Sequence, residues 1–448
     1  MRILQVANGF PPTALAGAEL HTFALVNQLA KSHAVQVFCR ESDPTRPDYT
    51  IIQDTVEGVP VTRVVNNLLD VRDYEGLYRN RRIEQIFVGV LDQFQPDMVH
   101  VQHCVALSVG CIEQALVRRL PCVVTLHDYW YICPTTNLLR PDLAPCPGTH
   151  HGSNCFDCLH FAPTALARAT FLPGYLRWRE VIPRSARLRV LGWLGRLRAR
   201  AEGTGSSLVL KRAADIRGLL ARCSAIIAPS GYVKSRYVEF GLSPDLIHVI
   251  PLGMDVPRWT GAPRPARSAD VTRFAYVGGL TRHKGAEVMV RAFMQAPGPA
   301  ELYIFGFEQA GDTFAAHLKG LAASDARIHL MGPIPNQALP QALSGMDAFL
   351  MPALWHETFS FVIREAILAG LPVIASNMGV IPEIVHDGVN GRLLAPGHVD
   401  EWAACLRGLI ERPDQLESLR PHRGDLAVRS FEENAQDHLA LYREVWQT

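Results

Sequence analysis

The stretch Pro352-Ala353-Leu354-Trp355-His356-Glu357-Thr358-Phe359-Ser360-Phe361-Val362-Ile363-Arg364-Glu365-Ala366 follows directly on the apolar run 348–351. It reads as a strand that ends in a loop and opens into a helix near Ser360, the unit from which parallel α/β sheets are built. A helix start offers free N–H groups and the positive end of a dipole, which together hold anions such as phosphate. Glu357 just before the helix and Glu365 inside it would repel a phosphate unless they face hydroxyls, so sugar and ribose fit the pattern. Taken alone, the two glutamates also read as a solvated pair on a surface helix.

Working outward, the same strand-and-crossover rhythm recurs. Short β-branched or apolar runs at 3–7, 35–39, 98–101, 122–126 and 225–228 alternate with helix-like segments, and the rhythm restarts at 274–277, 302–305, 328–330, 348–351 and 372–375. Alternation of this kind predicts parallel sheets covered on both faces. The chain is therefore expected to be α/β, two doubly wound Rossmann-like domains facing a central cleft, with ligands at the carboxyl ends of the strands. The boundaries expected are 1–252, 253–430 and a last helix at 431–448 that crosses back to the first domain. Pro251-Leu252-Gly253-Met254-Asp255-Val256-Pro257, followed by the Pro/Ala/Arg-rich stretch to Ser268, reads as an exposed hinge.

A length of 448 residues is too great for one core and matches two or three domains. With 48% apolar and 19% charged residues, bulk disorder, collagen and a coiled-coil rod are excluded. No apolar run reaches the ~18 residues of a membrane span, and the Met1 end has no leader-like apolar region, which predicts a cytoplasmic protein. The net charge of +1 hides an asymmetry: residues 165–222 hold 13 Lys/Arg against three acids, leaving 31 basic and 40 acidic residues elsewhere.

The loop Tyr276-Val277-Gly278-Gly279-Leu280-Thr281-Arg282-His283-Lys284-Gly285 runs from a strand into glycines and cations. A diphosphate leaving group needs positive charge as its bond breaks, and Lys284 or Arg282 supplies it without a metal. Together with 352–366 and its continuation Gly370-Leu371-Pro372, Pro382-Glu383 and Asp387-Gly388-Val389-Asn390-Gly391, this loop resembles the retaining glycosyltransferases of family 4, which have the GT-B fold. The resemblance implies that Glu365 holds the nucleotide ribose and that Glu357, with the backbone amides of Thr358, Phe359 and Ser360, holds the donor sugar. It implies that Lys284 stabilises the diphosphate, with Gly278 and Gly279 beside it. The family's turn glycine is Ser360 here, one of its paired glycines is Val380, and its arginine is Gly279, whose role is assigned to Arg282.

In the amino-terminal half, Asn8-Gly9-Phe10-Pro11-Pro12 through Ala16-Gly17-Ala18-Glu19 is similar to the family's first loop, and Gly17 lets backbone approach a ligand. His127 and Asp128 end a strand, and the family places a histidine there close to the donor sugar; His100 and His103 at another strand end are assigned to the acceptor side. Family chemistry implies front-face substitution, so that Lys284, Glu357 and His127 work by positioning and electrostatics. No Asp-x-Asp clamp is present in the donor-side motifs, so no metal is expected in turnover.

Cys133, Cys146, Cys155 and Cys158 fall within 26 residues. A structural zinc site, unpaired thiols, an iron–sulfur cluster and a disulfide all fit this irregular spacing. Residues 175–200 pair apolar positions at helical spacing with arginines, which suits either an anionic membrane surface or a helix packed on the first domain. No nucleic-acid-binding signature accompanies the arginines. The reading is a glycosyltransferase moving a sugar from a nucleotide-diphosphate sugar to a hydroxyl acceptor, lipid-linked if 175–200 docks on the inner face of the plasma membrane. A sugar-nucleotide epimerase or hydrolase and a membrane-docking scaffold remain as alternatives.

Overall fold

The computed structural model describes the chain except residues 72, 141, 147, 149–154, 156–204, 261–270, 309–312, 422–427 and 448. It divides into two compact units. The first holds Met1–Asp142, Cys146–Gly253 and Phe431–Thr448; the second holds Leu143–Pro145 and Met254–Ser430.

The first unit is built on eight strands: β1 (Arg2–Ala7), β2 (Ala34–Glu41), β3 (Ile51–Val56), β4 (Val59–Val65), β5 (Met98–Val101), β6 (Cys122–Thr125), β7 (Ala225–Ala228) and β8 (Ile247–Val249). Their order is β3-β4-β2-β1-β5-β6-β7-β8. Among the described residues only the β3–β4 hairpin is antiparallel, closed by Glu57 and Gly58, both at positive φ. The second unit has β9 (Thr272–Gly279), β10 (Ala300–Phe307), β11 (Ile328–Leu330), β12 (Ala348–Met351), β13 (Val373–Ser376) and β14 (Gly391–Leu394), all parallel, in the order β11-β10-β9-β12-β13-β14.

Strands β5, β6, β7, β12 and β13 are buried along their whole length, as expected of strands covered on both faces. In the first unit the two faces bury separate cores. Leu4, Val6, Val99, Val101 and Val124 point to one side, and Ile3, Met98, Val123 and Ala225 to the other. The last helix, Phe431–Gln447, covers the second face through Leu441, Tyr442 and Val445, beside the first helix, Gly17–Ala30.

Towards the carboxyl ends of the strands that second face turns polar. Gln5 of β1, His100 of β5 and Thr125 of β6 share the alternation that faces the last helix, and Gln5 pairs with His100 in register. Four imidazoles gather there: ring centroids are 5.6 Å apart for His21 and His127, 5.6 Å for His100 and His438, and 6.2 Å for His21 and His438. Burial, reinforced by neighbouring imidazoles, holds His21 and His100 well below the ordinary value. Burial also takes His127 down to about 3 and His438 to about 4. The native state thus refuses protons that an unfolded chain accepts below about 6.5. Stability is full above that pH and is lost as pH falls toward the folded values. Chemical denaturation of the first unit is expected to show a loss of about 2 kcal/mol at about pH 5 for each imidazole that stays neutral; His438→Phe should flatten the slope.

Candidate functional site

In the second unit the chain enters the sheet at β9, builds β10 and β11 on one side, then crosses to β12 on the other. The crevice at the carboxyl ends of β9 and β12 is the topological switch point, where open α/β sheets place ligands. Both sequence motifs leave from it. The loops are fastened through backbone: the Leu354 amide donates to the His283 carbonyl at 2.9 Å. Gly285, at φ +74°, stands where any Cβ would collide with the Pro352 carbonyl. Gly379, at φ +61°, sits behind Glu357, where a Cβ would come within 2.7 Å of the Glu357 nitrogen and 2.8 Å of its oxygen. The Val380 amide donates to the Glu357 carbonyl at 3.0 Å, so the backbone of that glutamate is held from behind.

Side chains complete the group. Lys284 Nζ and Trp355 Nε1 each donate to Glu357 Oε1 at 2.7 Å, and the ammonium lies 4.8 Å from the centre of the indole ring. The Glu357 side chain is 7% exposed and that of Lys284 is 25% exposed. A carboxylate so enclosed needs its partners, whereas the ammonium keeps a solvent-facing side. His283 packs edge-on against Trp355; burial and then the Lys284 charge lower its pKa to about 4, so it is neutral at pH 7. Tyr276 Oη donates to the Gly279 carbonyl at 3.0 Å, which shapes the end of β9 at Gly278 and Gly279. Arg282 does not join this group. Successive side chains of the tight turn Arg282–Lys284 diverge, and its guanidinium lies over the Phe314 ring at 4.9 Å, lining a cavity of about 240 Å³ with Leu354 and Val399.

The helix Phe361–Leu368 starts at a Ser360 held at φ 57° and ψ 77°, the left-handed region that glycine adopts without strain. The amides of its first turn emerge beside the buried Thr358 and Phe359. Phe359 is packed between the Phe361 ring and the Arg364 guanidinium. One turn further in, Glu365 Oε1 accepts from Arg258 Nη2 at 3.1 Å. Burial raises the pKa of Glu365, and Arg258 opposes that shift.

In the first unit the corresponding switch point lies between β1 and β5. Gly17 is exposed as the first residue of its helix, whose Ala16 cap makes no side-chain bond. Arg63 pins the preceding loop by donating to the carbonyls of Phe10 at 2.9 Å and Pro11 at 2.7 Å. His127, just past β6, has Nε2 at 2.8 Å from Gln102 Oε1. His103 accepts the Val105 amide at Nδ1 (3.0 Å), so Nε2 donates to Asp128 Oδ1 at 3.1 Å. Burial works against ionisation of Asp128, but His103 and the Trp130 amide outweigh it and hold the carboxyl below its usual range. His100 departs from the expectation that it lines the acceptor side: it is wholly buried, and its ring nitrogens face Tyr442 Oη at 2.5 Å and Thr125 Oγ1 at 2.7 Å. Its strand alternation turns it inward, under the last helix.

Glycosyltransferase Family 4 matches residues 15–152, and Glycosyl transferases group 1 matches residues 271–412. The chain belongs to glycosyltransferase family 4. Its relatives include an MMP alpha-(1->4)-mannosyltransferase of Mycolicibacterium hassiacum, 29% identical over 46% of this chain and 50% of that protein. A D-inositol 3-phosphate glycosyltransferase of Nocardia farcinica is 28% identical over 49% and 51%. The match spans about half the length of these curated relatives. Among solved structures, HepE of Anabaena in complex with UDP and glucose aligns with TM-score 0.64 and 17% identity over 98% of this chain and 99% of its own. The sucrose-phosphate synthase of Thermosynechococcus elongatus aligns with TM-score 0.65 and 18% identity over 100% and 99%. Both units have the parallel α/β sheets of the GT-B family fold.

The cysteine cluster gives less. Cys133 and Cys146 are buried, with Cys133 Sγ 3.1 Å from Thr135 Oγ1 and Cys146 Sγ accepting the Gly148 amide at 3.5 Å. Cys155 is buried too, and Cys158 lies outside the described residues. Among the described residues no disulfide forms, and no three His, Cys, Asp or Glu side chains are arranged to hold a metal ion. The basic stretch 175–200 also lies outside the described residues, and no described helix is long and apolar enough to cross a membrane.

Trp355, Arg258, Arg63 and Gln102 hold these groups without being among the residues that the motifs name. Only Trp355 carried a signal, lying two residues before Glu357. The backbone geometry predicts opposite effects at two neighbouring positions. Gly379→Ala drives a methyl into the Glu357 backbone and is expected to destabilise the second unit by about 2 kcal/mol. Ser360→Gly relieves a left-handed serine and is expected to stabilise it by about 1 kcal/mol. Urea unfolding of the two variants beside the parent checks both signs.

Proposed function

We propose that the protein transfers a sugar from a nucleotide-diphosphate sugar to a hydroxyl acceptor with retention at the anomeric carbon. The single observation that carries this reading is the Lys284–Glu357–Trp355 group at the β9/β12 switch point, inside the stretch that matches the family. The ammonium is paired with a carboxylate. A diphosphate offers it a stronger partner, and the positive charge then stabilises the leaving group as the glycosyl bond breaks. Glu357, relieved of the lysine, turns its carboxylate to the sugar hydroxyls while Trp355 retains its hold on Oε1. Glu365 accepts from the ribose hydroxyls, with Arg258 favouring its ionised form.

Retention follows in this reading from front-face substitution, in which the departing phosphate helps deprotonate the acceptor. His127 meets a hydroxyl of the substrate, and the first unit carries the acceptor. The composition of 175–200 supports a lipid-linked acceptor at an anionic membrane surface. The HepE structure holds UDP and glucose, which makes UDP the first nucleotide to try.

Isothermal titration with UDP, GDP and ADP, followed by a donor panel read by mass spectrometry, tests the reading. One nucleotide is expected to bind, and its sugar to be transferred only when an acceptor is present. Glu365→Ala is expected to weaken nucleotide binding about tenfold or more. Lys284→Gln, which can still donate to Glu357 but carries no charge, is expected to lower kcat about a hundredfold while leaving the unfolding curve near that of the parent. Failure to bind any of the three nucleotides would remove the reading, and turnover without an acceptor would replace it with a hydrolase or epimerase.

A further inference from the structure

Glu365 lies one turn into the helix Phe361–Leu368, with its side chain 12% exposed. Burial works against its ionised form, and among the described residues Arg258 is the one charged group that opposes this. Arg364, the adjacent cation on the helix, turns instead to the Phe359 ring at 4.1 Å. Arg258 comes from far along the chain: it belongs to the short helix Pro257–Thr260, in the stretch that enters the second unit, 107 positions before Glu365. Trp259 beside it is buried and its amide donates to the Val256 carbonyl at 3.0 Å. The guanidinium lies 5.4 Å from the centre of that indole ring.

The roles in this pair are fixed by chemistry. A guanidinium only donates and an ionised carboxylate only accepts, so neither group can be read the other way round. Nη2 donates to Oε1 at 3.1 Å, and among the described residues no donor is bonded to Oε2. The terminal torsion of a glutamate is soft, and a charge-assisted bond at one oxygen sets the plane of the carboxylate. Of the roughly four acceptor sites that a carboxylate has, Arg258 takes one. The rest suit two neighbouring hydroxyls that each donate once.

We propose that Arg258 is a positioning residue: by holding Glu365 Oε1 it presents the rest of the carboxylate to the vicinal hydroxyls of a ribose, and the pair makes the site select ribonucleotides over 2′-deoxyribonucleotides. This assignment rests on the nucleotide-sugar reading and names the residue through which ribose recognition is set. A 2′-deoxyribose leaves part of an enclosed carboxylate without a donor, which costs more than the bond itself. Without Arg258 nothing opposes burial, so as pH falls Glu365 takes up a proton sooner than it does beside the guanidinium. A protonated carboxyl accepts less, and the preference for ribose then fades from the acid side.

The test is isothermal titration of the full chain with UDP, GDP and ADP, each beside its 2′-deoxy counterpart, at about pH 8 and about pH 6. Both members of a pair carry the same diphosphate, so its own titration cancels in the ratio of their affinities. The parent is expected to hold the ribonucleotide about tenfold tighter at both pH values. Arg258→Met, unbranched and without charge, is expected to keep part of that preference at the higher pH and to lose it at the lower. Arg258→Lys, which keeps the charge, is expected to show a preference that does not move with pH. A role in folding alone would weaken both nucleotides alike and leave the ratio insensitive to pH. A ratio near one in the parent overturns the proposal while the nucleotide reading stands, and that measurement depends on no variant. A ratio in Arg258→Met that equals the parent's at both pH values overturns it as well. If none of the three ribonucleotides binds the parent, the nucleotide-sugar reading fails and takes the proposal with it.

Discussion

The Pro352 carbonyl occupies the space that a side chain at position 285 would need, and the backbone of Glu357 occupies the space a side chain at 379 would need. These two close approaches are what bring three loops from separate strands into one site. A lysine and a glutamate 73 residues apart then meet at 2.7 Å because the backbone beneath them leaves no slack. The side-chain chemistry is secondary to that steric condition. Aspartate at 357 or arginine at 284 would keep the charge and change the reach, whereas a side chain at 285 or 379 would press on the backbone that holds the loops together.

The pairing of Lys284 with Glu357 also explains how two opposite charges persist at the edge of an otherwise apolar sheet end. Each satisfies the other, and the indole of Trp355 contributes both a hydrogen-bond donor and a π face. An ion pair of this kind is a poor source of net stability but a good register for position. It holds the ammonium beside the Trp355 ring with one side still open to solvent.

Much of this was legible in the sequence, for reasons that differ from residue to residue. Buried parallel strands such as β12 are continuous apolar runs, and β5, β6 and β13 are nearly so, each with one polar residue, and such runs announce themselves. The β3–β4 hairpin does not, because β3 is largely exposed and its residues Gln53, Asp54 and Thr55 are polar. Glu357, Glu365 and Lys284 were found because they sit in a recognisable spacing. Arg258 was not, since its partner lies 107 positions away and nothing local marks it. Arg282 misled because charge and proximity in sequence do not fix direction within a turn of three residues. His100 misled for a related reason: a strand end was recognised, but which face the alternation would turn inward depended on the last helix, and that helix covers the sheet from far along the chain.

The return of that helix has an effect on biogenesis. The first unit shares its core with Leu441, Tyr442 and Val445, which leave the ribosome only after the whole second unit has been made. Folding that usually proceeds from the N-terminus, domain by domain, is here reversed in its final step. The half that is synthesised first must wait, with one face of its sheet incompletely covered, while the later half closes on its own, and a chaperone that shields bare sheet surface would find its client in the older half of the nascent chain.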